Sequence, residues 1–339
     1  MTARRLIPVS LIGLALVPAA AQGQTPPAPL PVPTPPAPPP TVPAPAPAPA
    51  PAAGEATFTL AGGFPTKAIR YYTPGQTVVL RGRVTPAVPG EVVTLSVLRR
   101  GKGSKRISRP VRADGRFAVR FTVGKPGRLR LVVKHGASPL QAAFRAKPAR
   151  IKVVRWSAGA RARGVRVLLL QRALERLGFA TPVTGYFDGL TANAVNAFRK
   201  ANNMGRSGYA SPAVYAKLLR RRGAFRLRYP KAGKHVEFDW SRQVLVLARG
   251  GRAYRVYHTS SGKPSTPTIF GTYRFYRQSP GTNAVGMVHS SYFIGGYAIH
   301  GYASVPNYPA SHGCLRVPIP WAAGIFRWID IGDRIFLYR

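Results

Sequence analysis

Acidic residues are scarce in this chain of 339 residues, which has 9 aspartates and glutamates against 51 lysines and arginines. The formal net charge is therefore +42, and a field of this size attracts polyanions. Nucleic acid, an anionic envelope polymer and a membrane surface are the partners that this charge favours. Because the basic residues are spread along the whole chain, an arginine-rich coding bias on solvated surfaces explains the excess equally well.

Cysteine is almost absent. Cys314 is the single cysteine of the sequence, which excludes an internal disulfide and leaves either an inert buried thiol or a reactive one. It lies in the run Ser-His-Gly-Cys-Leu-Arg at 311–316, and His300 lies a short distance before that run. A nearby imidazole can accept the thiol proton. Gly313 lets the backbone approach a substrate closely, and the amides of Gly313 and Cys314 are candidates to hold a developing oxyanion.

No aspartate or glutamate lies between Tyr297 and Val317. A zinc site is compatible with Ser-His-Gly-Cys but is the weaker alternative, because the ligand set would lack a carboxylate. A paired-carboxylate glycosidase is disfavoured for the same reason. No neighbouring carboxylate can orient His300 as a base, so we expect a backbone carbonyl, that of Gly301, to do so. The sequence predicts neither a metal nor a cofactor.

The first 21 residues have the features of a secretory signal. Arg4 and Arg5 precede an apolar run at 6–17, and small residues end at Ala21; the run is too short to span a bilayer. A retained membrane anchor is the alternative. Export would place the protein in the cell wall, in the periplasm or on the extracellular face of the bacterial envelope, and it argues against nucleic acid as a ligand. Residues 22–55 are rich in proline and alanine and predict an extended spacer or an inert linker.

Residues 56–154 show short strands of period two that are separated by turn residues. This pattern predicts a small β-sandwich, and residues 124–127 resemble the last turn of bacterial Ig-like modules. Residues 113–116 predict a hairpin turn. No residue type in this module points to chemistry, so a structural role and a wall-contacting role remain equal alternatives.

Residues 158–222 change to a helical period. Val167, Leu170 and Leu174 fall on one helix face, Thr191 is the predicted N-cap of a second helix, and Ser211 opens a third. A bundle of three short helices needs no ligand by itself. The runs at 163–171, 177–179, 184–188 and 191–198 nevertheless resemble the peptidoglycan-binding domain of many cell-wall enzymes. This resemblance implies contact with the wall glycan.

Strands resume at His235, and residues 233–339 predict a mostly β domain with a hairpin at 249–251 and a closing strand near the end. Within it, Ile-His-Gly at 299–301 and the run at 311–317 resemble the signature of the L,D-transpeptidase (YkuD) catalytic domain. The run Thr-Pro-Thr at 266–268 resembles an upstream segment of the same domain. The fold class expected for the chain is therefore multidomain and mainly β. It comprises an Ig-like β-sandwich, a three-helix bundle and a C-terminal transpeptidase domain.

The resemblance implies a role for each residue of the signature. Cys314 would be the nucleophile, His300 the proton acceptor and donor, and Arg316 a ligand for a substrate carboxylate. The pocket and oxyanion site would be shaped by Ser311, His312, Gly313 and Gly301.

The implied activity is a transferase that forms 3→3 cross-links between peptidoglycan stem peptides through a thioester. The implied partners are these stem peptides and the wall glycan, together with anionic wall polymers that the charge would attract. An L,D-carboxypeptidase or other hydrolase of wall peptides, and a non-catalytic wall-binding protein, are the alternatives.

Overall fold

The computed structural model describes residues 49–100 and 102–339. The predicted signal at 1–21 and most of the predicted linker at 22–55 therefore lie outside the described residues. No helix in the described ranges is long and apolar enough to cross a membrane. Residues Ala50–Arg339 form one compact unit, in which three regions follow one another along the chain.

The first region is a β-sandwich, as predicted. Its strands are β1 (Glu55–Ala61), β2 (Phe64–Pro65), β3 (Arg70–Tyr72), β4 (Gln76–Thr85), β5 (Val92–Arg99), β6 (Lys102–Pro110), β7 (Arg116–Val123), β8 (Gly127–His135), β9 (Phe144–Arg145) and β10 (Ala149–Val153). One sheet has the order β1-β4-β7, and the other has the order β2-β3-β10-β8-β5-β6 with β9 against β8. Every second residue of β7 is buried, so its apolar face supplies the core between the sheets.

The hairpin predicted at 113–116 is wrong. The Gly115 amide does donate to the Arg112 carbonyl at 2.8 Å, but β6 pairs with β5 and β7 pairs with β4. The turn therefore carries the chain from one sheet to the other. Strand β6 has Ile107 as its single aliphatic residue between basic and small ones, so no apolar alternation marked it as a strand.

The second region contains the three predicted helices, α1 (Val165–Arg176), α2 (Gly189–Ala201) and α3 (Pro212–Leu219). The Ser211 hydroxyl caps α3 as predicted, accepting from the amide of Val214. The N-cap predicted for α2 is wrong, because the Asp188 carboxylate accepts from the Thr191 amide at 2.7 Å. Thr191 is instead buried, and its hydroxyl accepts from the Gln171 amide group at 2.9 Å.

The third region contains β11 (His235–Asp239), β12 (Val244–Arg249), β13 (Arg252–His258), β14 (Gly271–Arg274), β15 (Arg277–Thr282), β16 (Val288–Ile294), β17 (Tyr297–Tyr302), β18 (Leu315–Pro318), α4 (Ile319–Trp328) and β19 (Arg334–Tyr338). Its two sheets have the orders β13-β12-β11-β19-β14 and β15-β16-β17-β18. The hairpin predicted at 249–251 joins β12 to β13. The predicted closing strand, β19, pairs with β11 and β14.

The helices of the second region pack directly on the third region. Val244 and Val246 of β12 belong to the apolar cluster of the helices, whereas Leu245 and Leu247 belong to the core between the two catalytic sheets. Strand β12 is thus apolar on both faces, as a strand covered on both sides must be. The Val256 amide also donates to the Gly178 carbonyl at 2.8 Å. The helical region is consequently held against the domain that carries the cysteine, by this bond after α1 and by the shared apolar cluster.

Candidate active site

The pairing of β17 with β18 brings the predicted catalytic residues together. These strands are parallel, and Ile299 pairs with Leu315 and His300 with Arg316. Paired residues point to the same side of a sheet, and so do residues two positions apart on one strand. His300 and Arg316 therefore share a face. Cys314 immediately precedes β18, and the Arg316 charge acts on both Cys314 and His300, so the three side chains belong to one site.

His300 is buried, with 3% of its surface exposed. Its Nδ1 lies 2.9 Å from the Gly301 carbonyl oxygen, which is the orienting contact predicted from the sequence. Because a carbonyl oxygen can only accept, Nδ1 carries the proton and Nε2 of the neutral ring is free to accept one. Burial lowers the pKa of His300, which the Gly301 hydrogen bond opposes and the nearby Arg316 charge reinforces. The imidazole is therefore in its basic form at neutral pH.

The Cys314 thiol is in its protonated form. Burial raises its pKa, although the Ala298 backbone amide and the Arg316 charge act in the opposite direction. Its Sγ donates to the Gly296 carbonyl at 3.5 Å. Within the described ranges, no hydrogen bond joins this thiol to His300. The resting site thus pairs a neutral thiol with a neutral base, so the proton must be transferred when the thiol reacts.

The turn before the cysteine is held by Ser311, whose side chain is buried. Its hydroxyl donates to the Cys314 carbonyl at 2.6 Å and accepts from the Gly313 amide at 3.1 Å. Gly313 has a φ of +115°, and a Cβ there would lie 2.3 Å from the ring of Tyr297, so only glycine fits. The Gly313 amide is engaged by Ser311 and would have to leave it to bind an oxyanion.

Gly301 and His312 have different surroundings. A Cβ on Gly301 would lie 2.7 Å from the Cβ of Ala322 on α4, so this glycine allows close packing while its carbonyl orients His300. His312 is exposed and makes no hydrogen bond within the described ranges. Of the two histidines near the cysteine, His300 is therefore the one that the fold holds in place.

Arg316 retains an unused donor. Its guanidinium lies 4.1 Å from the centre of the Tyr302 ring. Its Nε is buried and has no hydrogen-bond partner among the residues that the structure describes. A buried N–H of this kind is costly unless it is paired, and a carboxylate would pair it. The arrangement therefore suits an anionic group next to Cys314.

Two threonines that support the turn were not identified as site residues from the sequence. Thr268 donates its hydroxyl to the Gly313 carbonyl at 2.7 Å, and Thr266 donates to the Ser311 carbonyl at 3.1 Å. Their position in a segment that resembles the family, at 266–268, was the available signal. Among the described residues, no group of three or more His, Cys, Asp or Glu side chains is placed to hold a metal ion.

Comparisons with known families and structures agree with this geometry. The model of the L,D-transpeptidase catalytic domain (YkuD) matches residues 233–337, and that of a peptidoglycan binding domain matches residues 163–218. A comparison with curated proteins found no match.

Three similar solved structures are L,D-transpeptidases. The one from Xylanimonas cellulosilytica is 32% identical, with 55% of this chain and 98% of that chain covered and a TM-score of 0.50. The one from Stackebrandtia nassauensis is 19% identical, with 54% and 95% covered and a TM-score of 0.35. L,D-transpeptidase 1 of Mycobacterium tuberculosis is 23% identical, with 31% and 61% covered and a TM-score of 0.26. This chain therefore belongs to the L,D-transpeptidase family, and its YkuD catalytic domain is preceded by a peptidoglycan-binding domain.

Proposed function

We propose that this protein is an exported cysteine L,D-transpeptidase that forms 3→3 peptidoglycan cross-links through a thioester acyl-enzyme. The observation that carries the proposal is the state of His300. Its Nδ1 is held by the Gly301 carbonyl, so its Nε2 is left as a base, and His300 pairs with Arg316, two positions after Cys314. A thiol that burial keeps protonated needs such a base.

In the first step, His300 Nε2 removes the thiol proton while Sγ attacks the carbonyl carbon of the third, L-centred residue of a stem tetrapeptide. The C=O bond becomes a C–O⁻, which the Cys314 amide would stabilise as a backbone donor. Collapse of this intermediate breaks the C–N bond. The imidazolium then gives its proton to the departing D-alanine amine, a transfer that the lowered pKa of His300 favours.

In the second step, an amine of a neighbouring stem attacks the thioester. Neutral His300 removes the amine proton, the new amide bond forms, the C–S bond breaks and the thiolate recovers a proton from the imidazolium. If water attacks instead, the product is a shortened tripeptide and the enzyme is an L,D-carboxypeptidase. Exclusion of water from the acyl-enzyme decides between these outcomes.

The rest of the chain supports action at the wall. We propose a signal at 1–21, a linker at 22–55, a β-sandwich at 56–154, a wall-binding module at 158–222 and the catalytic domain at 233–339. The match at 163–218 supports a role for the helices in holding the peptidoglycan glycan. The net charge of +42 would add attraction to anionic wall polymers.

Incubation of the purified protein with a disaccharide tetrapeptide, followed by mass spectrometry of the products, tests the proposal. A cross-linked dimer with loss of one D-alanine is the expected product. A tripeptide monomer alone would favour the carboxypeptidase. No turnover, together with no covalent carbapenem adduct on Cys314, would contradict both activities and leave a non-catalytic wall-binding protein.

Replacement of Arg316 by lysine is expected to lower kcat/KM for the tetrapeptide by about tenfold, because a lysine loses the planar pair of donors. The loss should vanish for a tetrapeptide whose terminal carboxylate is amidated, if that carboxylate is the group that Arg316 binds. Arg327→Lys, at an exposed position of α4, is the matched control. Equal losses on both substrates would contradict this role.

A further inference from the structure

Helix α2 of the peptidoglycan-binding domain contributes a buried cation that the proposed chemistry does not use. Lys200 is 3% exposed, and no carboxylate pairs with it within the described ranges. Its Nζ instead contacts the Gln243 carbonyl, the Thr259 carbonyl at 3.4 Å and His258 Nδ1 at 2.8 Å. Burial lowers its pKa, and the charge of Arg206 lowers it further. Such a costly group is retained where it fixes a particular arrangement.

His258 connects Lys200 to Val305, which lies near the active site. Its Nε2 lies 2.8 Å from the Val305 carbonyl oxygen. Because that oxygen can only accept, Nε2 donates, and Nδ1 of the neutral ring accepts from Lys200. Burial first, and then the Lys200 charge, lower the pKa of His258 to about 3. The ring is consequently neutral at physiological pH, and its donor and acceptor sides are fixed.

Val305 lies in the connecting loop, which we define as residues 303–310. This loop follows β17, the strand on which His300 lies. It ends just before Ser311, where the turn before Cys314 begins. Arg206, just beyond α2, donates to the Asn307 carbonyl at 2.7 Å, and the side chains of Asn196 and Asn307 are also hydrogen-bonded. The helical domain therefore contacts the connecting loop directly at Asn307 and, through His258 of β13, also at Val305.

We propose that Lys200 and His258 are positioning residues that hold the connecting loop at Val305 and thereby set the fit of the substrate beside Cys314. This inference rests on the proposed function. It makes the peptidoglycan-binding domain a structural part of the active site as well as a tether to the wall. Because neither residue touches the thiol or its base, their loss should weaken substrate fit and leave the intrinsic reactivity of the thiol unchanged.

Four single variants of the full chain, and the double variant Lys200→Met/His258→Leu, test this inference. Lys200→Met removes the donors with little change in side-chain length. Arg199→Met is the matched control, because Arg199 is the neighbouring residue of α2 and donates to the Gly205 carbonyl at 2.6 Å within the helical domain. His258→Leu removes both ring nitrogens, whereas His258→Gln keeps one acceptor and one donor.

Lys200→Met and His258→Leu are expected to raise KM for the disaccharide tetrapeptide by about tenfold, with kcat within about threefold of wild type, as expected for lost ground-state binding. His258→Gln should restore most of the fit. The double variant Lys200→Met/His258→Leu should have a KM no higher than that of either single variant, because the two residues act in series. Cys314 should react with iodoacetamide at the wild-type rate in all four single variants. Arg199→Met should change neither kcat nor KM for the tetrapeptide.

Hydrogen exchange of the Ala310 and Ser311 amides, which donate to the Ser261 carbonyl at 2.7 and 2.9 Å where the connecting loop ends, provides a readout that needs no substrate. Lys200→Met should speed this exchange by about tenfold while Arg199→Met leaves it unchanged, since local opening is governed by local contacts. If wild-type protein does not turn over the tetrapeptide, the proposed function fails and the exchange still decides this inference. Exchange at wild-type rates in both Lys200→Met and His258→Leu would overturn it, as would a KM no higher than that of Arg199→Met. If Lys200→Met does not fold, the comparison of His258→Leu with His258→Gln tests the inference.

Discussion

Replacement of Cys314 by alanine is expected to abolish both cross-linking and the covalent carbapenem adduct. The thiol is the single cysteine sulfur of the chain, and its Sγ is the atom that forms the thioester in the proposed mechanism. Removal of a nucleophile that acts together with a base costs at least about 10⁴-fold in rate. The measurement is single-turnover product formation from the tetrapeptide, with intact-protein mass after incubation with the carbapenem.

Alanine should preserve the fold at this position. The thiol donates a long hydrogen bond to the Gly296 carbonyl at 3.5 Å and accepts one from the Ala298 backbone amide, and bonds of this kind contribute about 1 kcal/mol each. A melting temperature within a few degrees of wild type is the necessary control. A Cys314→Ala protein that still acquires the carbapenem mass would show that another side chain is acylated, and the proposed nucleophile would be wrong.

The site could be predicted well from the sequence because its parts are local. Cys314 and His300 lie fourteen positions apart; His300 is on β17, and Cys314 directly precedes the neighbouring strand β18. The lack of nearby acids led directly to a backbone carbonyl as the group that orients the base, and the Gly301 contact at 2.9 Å agrees. Composition indicated the lone cysteine and the missing carboxylate, whereas the roles of the individual residues came from the resemblance to the family signature.

The parts that could not be predicted depend on contacts between distant segments. Lys200 and His258 lie in different domains, 58 positions apart, and each has an ordinary position in its own helix or strand. The same limit explains the error at 113–116, where the turn residues were evident but the sheet on each side was decided by pairing with β4 and β5. A local pattern specifies an element, whereas its partner is chosen by the packing of the whole domain.

Replacement of His300 by alanine is expected to slow acylation of Cys314 by about 10²- to 10⁴-fold at neutral pH, the usual contribution of a general base. The physical reason is the state of the thiol, whose pKa is raised by burial, so that little thiolate forms without a base. The measurement is the rate of carbapenem adduct formation by mass. His312→Ala, at the exposed histidine two residues before the cysteine, should acylate at the wild-type rate.

The pH dependence gives the sharper form of this prediction. In the wild type, acylation should fall only when His300 becomes protonated. Because burial lowers the pKa of His300 below its usual 6.5, the acid limb should lie below pH 6.5. In His300→Ala this limb should disappear, and the residual rate should rise with pH into the alkaline range, since the thiol with its raised pKa must then ionise unaided. An unchanged acid limb in His300→Ala, with its loss in His312→Ala, would identify His312 as the base.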